Sequence, residues 1–205
     1  DHQALMGEVE ALFERVVGTA GARRLTYREA FRSAVGLDPF DCAAGALCER
    51  AARHGLATAS GADGEAGTEA CLDFLFAVVV QPWLSAVPLA FVYDYPAFQA
   101  SLARVRPGDP PVAERFEAFL GGVEVANGYH ELTDADEQAR RFEADLARRR
   151  AAGLPEVPVD GRLLAALRAG LPPCAGVACG LDRMLLAARG GRRIDEVLAF
   201  PLERA

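Results

Sequence analysis

The sequence predicts an α+β domain in which helices flank an antiparallel sheet. Helical patterns fill residues 1–88, and strand-like runs begin only at residue 89. Two of those runs flank Gly121-Gly122, a dipeptide typical of a hairpin turn. Alternating strand–helix–strand units, which a parallel sheet needs for its crossovers, are few, so the strands should pair mainly in the antiparallel sense.

The composition narrows the functional classes. Of the 205 residues, 51% are hydrophobic and 25% are charged, which is ordinary for a globular chain and argues against disorder. The net charge of −7 argues against nucleic acid as the default partner. All 22 basic residues are Arg, so the chain cannot form a Schiff base on a lysine of its own.

The sequence favours a cytoplasmic protein without a membrane span. Its most apolar run, residues 74–80, is shorter than the roughly 20 residues that a spanning helix needs, and no signal peptide opens the chain. Five cysteines without a CxxC pair favour reduced thiols over a zinc site or a disulfide framework. Because the chain starts at Asp1 rather than Met, we expect a fragment or a trimmed product.

Three helices are predicted in the first 56 residues. Asp1 can cap the first. Thr26 with Glu29 forms a capping box for the second, which should end near Gly36. Asp38-Pro39 should open the third. The residues expected on the core face of the first helix are Leu5, Val9, Leu12, Phe13 and Val16.

A surface loop and a fourth helix should follow. Residues 57–67 are rich in Ala, Gly, Ser and Thr, which indicates a flexible loop. Thr68 should cap the next helix and Pro82 should stop it. Its expected core face consists of Leu72, Leu75, Phe76 and Val79.

The remaining elements are four strands and three helices. A long polar helix should follow a Thr133 cap and end in Arg148-Arg149-Arg150, which complements the helix dipole. That arginine triplet is either a site for an anionic partner or a solvated helix end. The predicted strands span 89–93, 115–120, 123–130 and 175–180, and the two shorter helices span 160–170 and 181–189.

Two glutamates of the predicted hairpin could form a metal site. In a regular two-residue hairpin, residue 119 pairs with 124 and residue 117 with 126, so Glu117 and Glu124 become diagonal neighbours on one face. Two unpaired carboxylates at such a short distance repel each other unless a cation lies between them. Mg²⁺ often binds through one or two carboxylates together with substrate phosphates. The alternative is two exposed glutamates on a solvated sheet face.

Asn127, Tyr129 and Glu131 also alternate, but with the opposite parity to Glu124. In a regular strand they would point to the other face. A single site for all of them requires a β-bulge between Glu124 and Asn127 or nearby, which Gly128 would tolerate. A regular ladder would exclude the single site. In such a site Asn127 and Glu131 could bind an amine, and Tyr129 could pack against its aliphatic stem.

The second informative segment is Gly-Val-Ala-Cys-Gly-Leu-Asp-Arg, which ends at Arg183. Small residues on a strand let a flat ring lie close to the backbone. Arg183 falls in the first turn of the next helix, from which a guanidinium can stack on a ring and reach a phosphate. The alternative is tight helix–sheet packing with an Arg–Asp surface pair.

Together the two segments resemble the class II aminoacyl-tRNA synthetases. The pattern Gly-x-Ala-x-Gly-x-Asp-Arg is similar to motif 3 of that class, and Val-Glu-Val-Ala-Asn-Gly-Tyr-His-Glu at 123–131 resembles its lysyl branch. His130 stands where lysyl synthetases usually have Ser, and Ala178 where they usually have Gly. With Tyr-Pro-Ala-Phe-Gln-Ala-Ser-Leu-Ala at 95–103, these departures resemble the truncated lysyl-synthetase paralogues that modify elongation factor P.

The resemblance implies an ATP-dependent aminoacyl ligase, usually a homodimer. Lysine or (R)-β-lysine would react with ATP to form an adenylate, and the acyl group would pass to a lysine of elongation factor P instead of a tRNA. Glu131 would pair with the side-chain ammonium of the substrate. By motif position, Mg²⁺ would lie at Glu117 and Glu124, ATP at Glu117, Glu124, Gly180 and Arg183, and the amino acid at Asn127, Tyr129, Glu131 and Ala178, with Glu124 and Arg183 as catalytic residues.

The resemblance is strong over residues 89–205 and looser over 1–88. It implies that 1–205 is the C-terminal portion of the catalytic domain, with a mainly helical segment (1–88) and a sheet-forming part that carries motif 3 (89–205). Motifs 1 and 2 would precede residue 1, so we expect the chain alone to be inactive in adenylation. Two alternatives stay open: a catalytic fragment of a lysyl-tRNA synthetase, and a synthetase-like protein that binds a nucleotide or a partner without catalysis.

Overall fold

The computed structural model describes residues 1–19, 21–56 and 65–204. The helices are α1 (His2–Val17), α2 (Tyr27–Val35), α3 (Ala44–Arg53), α4 (Glu65–Leu75), α5 (Gln81–Leu84), α6 (Ala135–Ala151), α7 (Gly161–Ala169) and α8 (Leu181–Ala188). The strands are β1 (Arg23–Thr26), β2 (Leu89–Pro96), β3 (Val105–Arg106), β4 (Val112–Leu120), β5 (Val123–His130) and β6 (Ala175–Cys179).

The six strands form one mixed sheet. Their order is β1-β2-β4-β5-β6, and β3 pairs with β4 beside this path. All pairs are antiparallel except β1 with β2, which are parallel. The α+β class and the mainly antiparallel pairing are therefore confirmed, and the one parallel pair was not expected. The parallel strand escaped prediction because it is a four-residue edge strand in which Leu25 alone is buried.

Helices α1 and α8 pack on one face of the sheet. Asp1 caps α1 as predicted, because its Oδ1 accepts a hydrogen bond of 2.9 Å from the Ala4 amide. The predicted core face was partly wrong, since Leu12 and Val16 are 42% and 48% exposed. The stripe that packs on the sheet is narrower and shifted, and it consists of His2, Met6, Val9 and Phe13.

Helices α2 to α5 pack against the other face, over β1, β2 and β4. The capping box of Thr26 and Glu29 is present, and α2 ends at Gly36, as predicted. Helix α3 begins at Ala44, because Asp38 instead closes a turn by accepting from the Phe40 amide. In the core between these helices and the sheet, the rings of Tyr27 and Phe76 stack 5.0 Å apart.

The fourth helix differs from its prediction at both ends. Of the expected loop, residues 57–64 lie outside the described part of the chain, and 65–67 are already helical, so Thr68 is not a cap. Pro82 does not stop the helix. A π-helical turn (Phe76–Val80) leads directly into α5, where Pro82 occupies the first turn and its missing N–H does no harm.

One stretch of the described residues, Gly67–Leu84, is long and apolar enough to pass for a membrane span by length and composition. It was not expected, because the apolar run alone is shorter. Leu75, Val80 and Leu84 of this stretch are fully buried in the core. A single such stretch is weak support for a membrane protein, since the core helix of a globular domain passes the same test.

The polar helix α6 borders the candidate site. Asp134 caps it in place of the predicted Thr133, accepting hydrogen bonds of 2.9 Å from the amides of Asp136 and Glu137. At its other end Arg150 pairs with Glu156 at 2.8 Å, while Arg149 donates to a backbone carbonyl. These local partners are what a solvated helix end would have.

Candidate active site

The hairpin of β4 and β5 contains the bulge on which a single site depends. Leu120 pairs with Val123 and Phe119 with Glu124, but Ala118 then pairs with Ala126, so Val125 is an extra residue. Gly121 and Gly122 close the turn with φ of 55° and 83°, which other residues rarely adopt. Residue 117 therefore pairs with Asn127, and the regular pairing of 117 with 126 was wrong.

The extra residue changes the parity of β5. Directly paired residues point to the same face of a sheet. Glu124 therefore shares a face with Phe119, and Asn127 shares that same face with Glu117. Tyr129 follows two residues later, and Ala178 of β6 lies opposite Asn127. Five of the predicted site residues are thus brought to one face.

The bulge also connects the hairpin to the second segment. The carbonyl oxygen of Val125 accepts a hydrogen bond of 2.8 Å from the Gly180 amide. The carbonyl oxygen of Glu124 accepts one of 2.7 Å from Nη1 of Arg183, whose side chain is exposed. Gly180 precedes the first turn of α8, so the bulge holds the start of this helix and its arginine next to Glu124.

Glu117 lies at the base of the site and is only 7% exposed. Its Oε2 accepts a hydrogen bond of 2.8 Å from the Tyr95 hydroxyl, and its Oε1 pairs with Arg115. Burial raises the pKa of Glu117 above its ordinary value and the charge of Glu124 adds to this, while the Arg115 guanidinium and the Tyr95 hydroxyl lower it without cancelling the rise. The expectation of two unpaired carboxylates was therefore wrong for Glu117.

Arg115 is a site residue that the sequence reasoning missed. Its guanidinium lies 4.7 Å from the centre of the Tyr95 ring and 6.0 Å from that of Tyr129. It also donates a hydrogen bond of 3.0 Å to the carbonyl oxygen of Gln99. The signal was present, because Arg115 lies two residues before Glu117 on the same strand and must share its face.

A cavity of about 850 Å³ opens over Glu117 and Glu124. Among the described residues that line it are six carboxylates and three guanidiniums, so it favours a cation or a cation-bound anion. Asn127, Tyr129, Glu131, Ala178 and Arg183 are not part of this lining. The charged lining residues are Glu69, Asp73, Glu117, Glu124, Glu137, Asp145, Arg115, Arg141 and Arg148.

Glu124 and Glu117 fit a hard divalent cation. Within the part of the chain that the structure describes, the half-buried Glu124 carboxylate forms no hydrogen bond or ion pair. After burial, its negative charge is a further cause of the raised pKa of Glu117. Oxygen donors of this kind are the ligands that Mg²⁺ prefers. Glu117 has less capacity to bind it than Glu124, because both of its oxygens already have partners.

The Glu131 carboxylate lies at the edge of the same face, against Gly176 of β6. Its backbone amide donates a hydrogen bond of 2.9 Å to the Cys174 carbonyl, which fixes the strand end. Burial raises the pKa of Glu131, and the charge of the neighbouring His130 acts against this. No ion pair of the Glu131 side chain occurs among the described residues, so this carboxylate can accept an external ammonium group.

Comparison with known proteins gives one family and a consistent set of relatives. The family model for class II tRNA synthetases (D, K and N) matches residues 3–204. An elongation factor P–(R)-β-lysine ligase of Vibrio cholerae is 46% identical over 205 residues, which is 100% of this chain and 63% of the relative. Ligases of the same name from Klebsiella pneumoniae and Vibrio atlanticus are 45% and 43% identical over the whole chain, covering 62% and 63% of their lengths. The chain thus spans about three fifths of the length of these curated relatives.

Proposed function

The chain belongs to the class II tRNA synthetase family (D, K and N), and from that premise we propose that it takes part in the ATP-dependent transfer of lysine or (R)-β-lysine to elongation factor P. The names of relatives that are 43–46% identical support the acceptor and the acyl group. One structural observation carries the proposal. The bulge at Val125 brings Glu124, Asn127 and Tyr129 to the face of Glu117 and connects them to Gly180 and Arg183.

ATP would bind at the end of the site where the bulge meets α8. Glu124, assisted by Glu117, would hold a Mg²⁺ ion, which neutralises phosphate charge when it is bound. Arg183 would stack on the adenine ring and reach the γ-phosphate. Its exposed guanidinium already lies next to the Glu124 backbone, at the same end of the site. Gly180 leaves the backbone open beside it. Glu124 and Arg183 are therefore the residues to which we assign the catalytic role.

The amino acid would bind at the other end of the face. Glu131 would pair with the side-chain ammonium, Asn127 would orient a polar group of the substrate, and Tyr129 would pack on the aliphatic stem. The Oδ1 atom of Asn127 is buried without a hydrogen-bond partner among the described residues, so a donor from the substrate would satisfy it. The methyl group of Ala178 would narrow the floor of the amino-acid pocket. One methyl group changes the discrimination between substrates by about 1–3 kcal/mol.

The reaction has two steps. The substrate carboxylate would attack the α-phosphorus of ATP, releasing pyrophosphate and leaving an aminoacyl-adenylate. The amine of an elongation factor P lysine would then attack the acyl carbon, forming an amide and releasing AMP. In both steps the residues of this chain act mainly by positioning and charge compensation.

We further propose that the chain alone does not form the adenylate, since it spans 62–63% of its relatives' lengths. We expect the active form, of the length of those relatives, to be a cytoplasmic homodimer that does not charge tRNA. This proposal rests on the resemblance to the lysyl branch and on the names of the relatives.

Mass spectrometry of elongation factor P tests the function. A protein of the relatives' full length would be incubated with ATP and either (R)-β-lysine or L-α-lysine, alongside the 205-residue chain and a Glu131→Gln variant. We expect one lysyl-sized mass gain from the longer protein, faster with (R)-β-lysine, and none from the chain alone. The matched control for Glu131→Gln is His54→Gln, which changes an exposed residue at the end of α3. Charging of tRNA without any mass gain would replace the proposal with a lysyl-tRNA synthetase.

A further inference from the structure

A second polar cluster lies on the opposite face of the sheet, under α1. It consists of His2 at the start of α1, Glu114 on β4 and His130 at the end of β5. His2 and Glu114 are only 2% and 8% exposed. One potential ligand atom from each of the three residues lies within 4.8 Å of the others. None of the chemistry proposed for the candidate active site uses this cluster.

The cluster contains buried atoms without hydrogen-bond partners. They are Nδ1 of His2, Oε2 of Glu114 and Nδ1 of His130. The last two are 2.7 Å apart, an ion-pair distance when His130 is protonated, and no hydrogen bond joins them. Buried polar atoms are seldom left without a partner, because removing them from water costs free energy that nothing returns. One ion bound among these three atoms would give each of them a partner.

We propose that His2, Glu114 and His130 bind one divalent transition-metal ion of the zinc class. Two imidazoles and one carboxylate are a known zinc ligand set, with a water molecule in the fourth position. Metal–ligand bonds of about 2.0–2.2 Å place ligand atoms about 3.3 Å apart in a tetrahedron. Oε2 of Glu114 and Nδ1 of His130, now 2.7 Å apart, would separate slightly, and the ligand atoms that lie up to 4.8 Å apart would approach. No cysteine takes part, so the argument from cysteine spacing against zinc does not apply to this cluster.

Neighbouring charges shape the site. Asp94 Oδ1 lies 3.7 Å from Nε2 of His2, and Nε2 of Gln3 lies 3.3 Å from the same ring nitrogen. Both neighbours are on the Nε2 side of the ring, which leaves Nδ1 for the metal. A slight approach of Asp94 would complete a carboxylate–histidine–metal arrangement. Arg104 and Arg106 lie 3.7 Å and 3.6 Å from Glu114 and oppose the cation. Their side chains are 56% and 43% exposed, so solvent screens part of that repulsion. We therefore expect weaker binding than at a zinc site made of thiolates.

A metal ion here would join three elements that are distant in sequence. It would fasten the start of α1 to β4 and to the last residue of β5. His130 directly precedes Glu131, whose side chain lies on the opposite face of the sheet. The ion would therefore stabilise the end of the sheet that carries Glu131. The inference does not depend on the proposed ligase activity.

Titration of the chelator-treated protein with Zn²⁺ alone tests the site. We expect one ion per chain by calorimetry and a higher thermal midpoint with Zn²⁺. His130→Gln and Glu114→Gln should each raise the Kd at least tenfold. His54→Gln is the matched control, because His54 is the exposed histidine outside the cluster, and it should leave the Kd unchanged.

Substitution with Co²⁺ identifies the ligands, since binding at the five cysteines would give an intense thiolate charge-transfer band. Absence of stoichiometric Zn²⁺ binding would overturn the proposal and leave a Glu114–His130 ion pair. A thiolate band, or binding that both variants retain, would also overturn it. Asp94→Asn keeps all three ligands, and its amide oxygen can still accept the 2.6 Å hydrogen bond that Arg106 donates to Asp94. It should therefore fold even where the other variants do not, and it should raise the Kd by about 10–100-fold. An unchanged Kd in this variant would contradict the proposed arrangement.

Discussion

The Glu131 carboxylate lies so close to the α-carbon of Gly176 that a β-carbon at position 176 would collide with Oε1. Small residues on this strand were expected to leave room for a flat ring. At Gly176 the room is instead taken by a side chain of the neighbouring strand. The glycine therefore determines where the carboxylate proposed to bind the substrate ammonium can lie.

Gly176→Ala should displace that carboxylate and weaken substrate binding. A charge-assisted hydrogen bond contributes about 1.5–3 kcal/mol, so we expect the Kd for lysine and (R)-β-lysine to rise by about 10–100-fold. Calorimetric titration measures it. Gly45→Ala is the matched control, because a β-carbon there meets nothing within 4 Å. Equal affinities of the two variants would disprove the role of this contact.

Tyr95→Phe should destabilise the protein, because it removes the hydroxyl that donates to the buried Glu117 carboxylate. Leaving a buried acceptor without its partner costs about 1–3 kcal/mol. Urea unfolding monitored by circular dichroism measures the loss. For Tyr93→Phe we expect a change within about 0.5 kcal/mol, since no hydrogen bond of the Tyr93 hydroxyl is among those described. Similar losses in both variants would mean that the ring environment, not the hydrogen bond, matters.

Asp73 and Glu10 should contribute to stability with opposite dependence on pH. Burial raises the pKa of Asp73 above 3.8, although Gln99 and Arg115 lower it. The folded chain therefore holds this proton more tightly than the unfolded chain, and stability falls as pH rises through the interval above 3.8. The stability of Asp73→Asn relative to the wild type should consequently increase with pH in that interval and then level off.

Glu10 provides the contrast, because the hydrogen bond from Arg24 lowers its pKa below 4.5 despite partial burial. Its contribution is present above 4.5 and is lost as pH falls through the lowered pKa. Glu10→Gln should therefore be least stable relative to the wild type near neutral pH. Urea unfolding at a series of pH values measures both differences, and parallel curves for the two variants would refute the assignment.

Features with a local signal could be predicted from the sequence, and those set by tertiary contacts could not. The Gly121-Gly122 turn and the Thr26–Glu29 capping box each depend on a few adjacent residues, and both were confirmed. The edge strand β1 has one buried residue, and its strand structure depends on pairing with β2. Alternation along β4 predicts only that Arg115 and Glu117 share a face. Their ion pair depends on both side chains being buried together, which the sequence pattern does not reveal.

The bulge lies between these cases. The parity of the site residues located it between Glu124 and Asn127, where Val125 is the extra residue, but could not decide whether it forms. Deleting Val125 should leave the pairs of Phe119 with Glu124 and of Glu117 with Asn127 in place, so the carboxylates stay on one face. It should remove the carbonyl that holds Gly180 and disturb the one that holds Arg183. We therefore expect ATP affinity to fall more than lysine affinity, as measured by calorimetry.

Val125→Ala separates this effect from simple loss of packing. Val125 is 2% exposed, so truncating it should cost about 1–3 kcal/mol of stability while its carbonyl stays in place. ATP affinity of this variant should match that of the wild type under conditions where both are folded. If the deletion and the substitution weakened ATP binding equally, the bulge would act through the core and not through the two carbonyls that position Gly180 and Arg183.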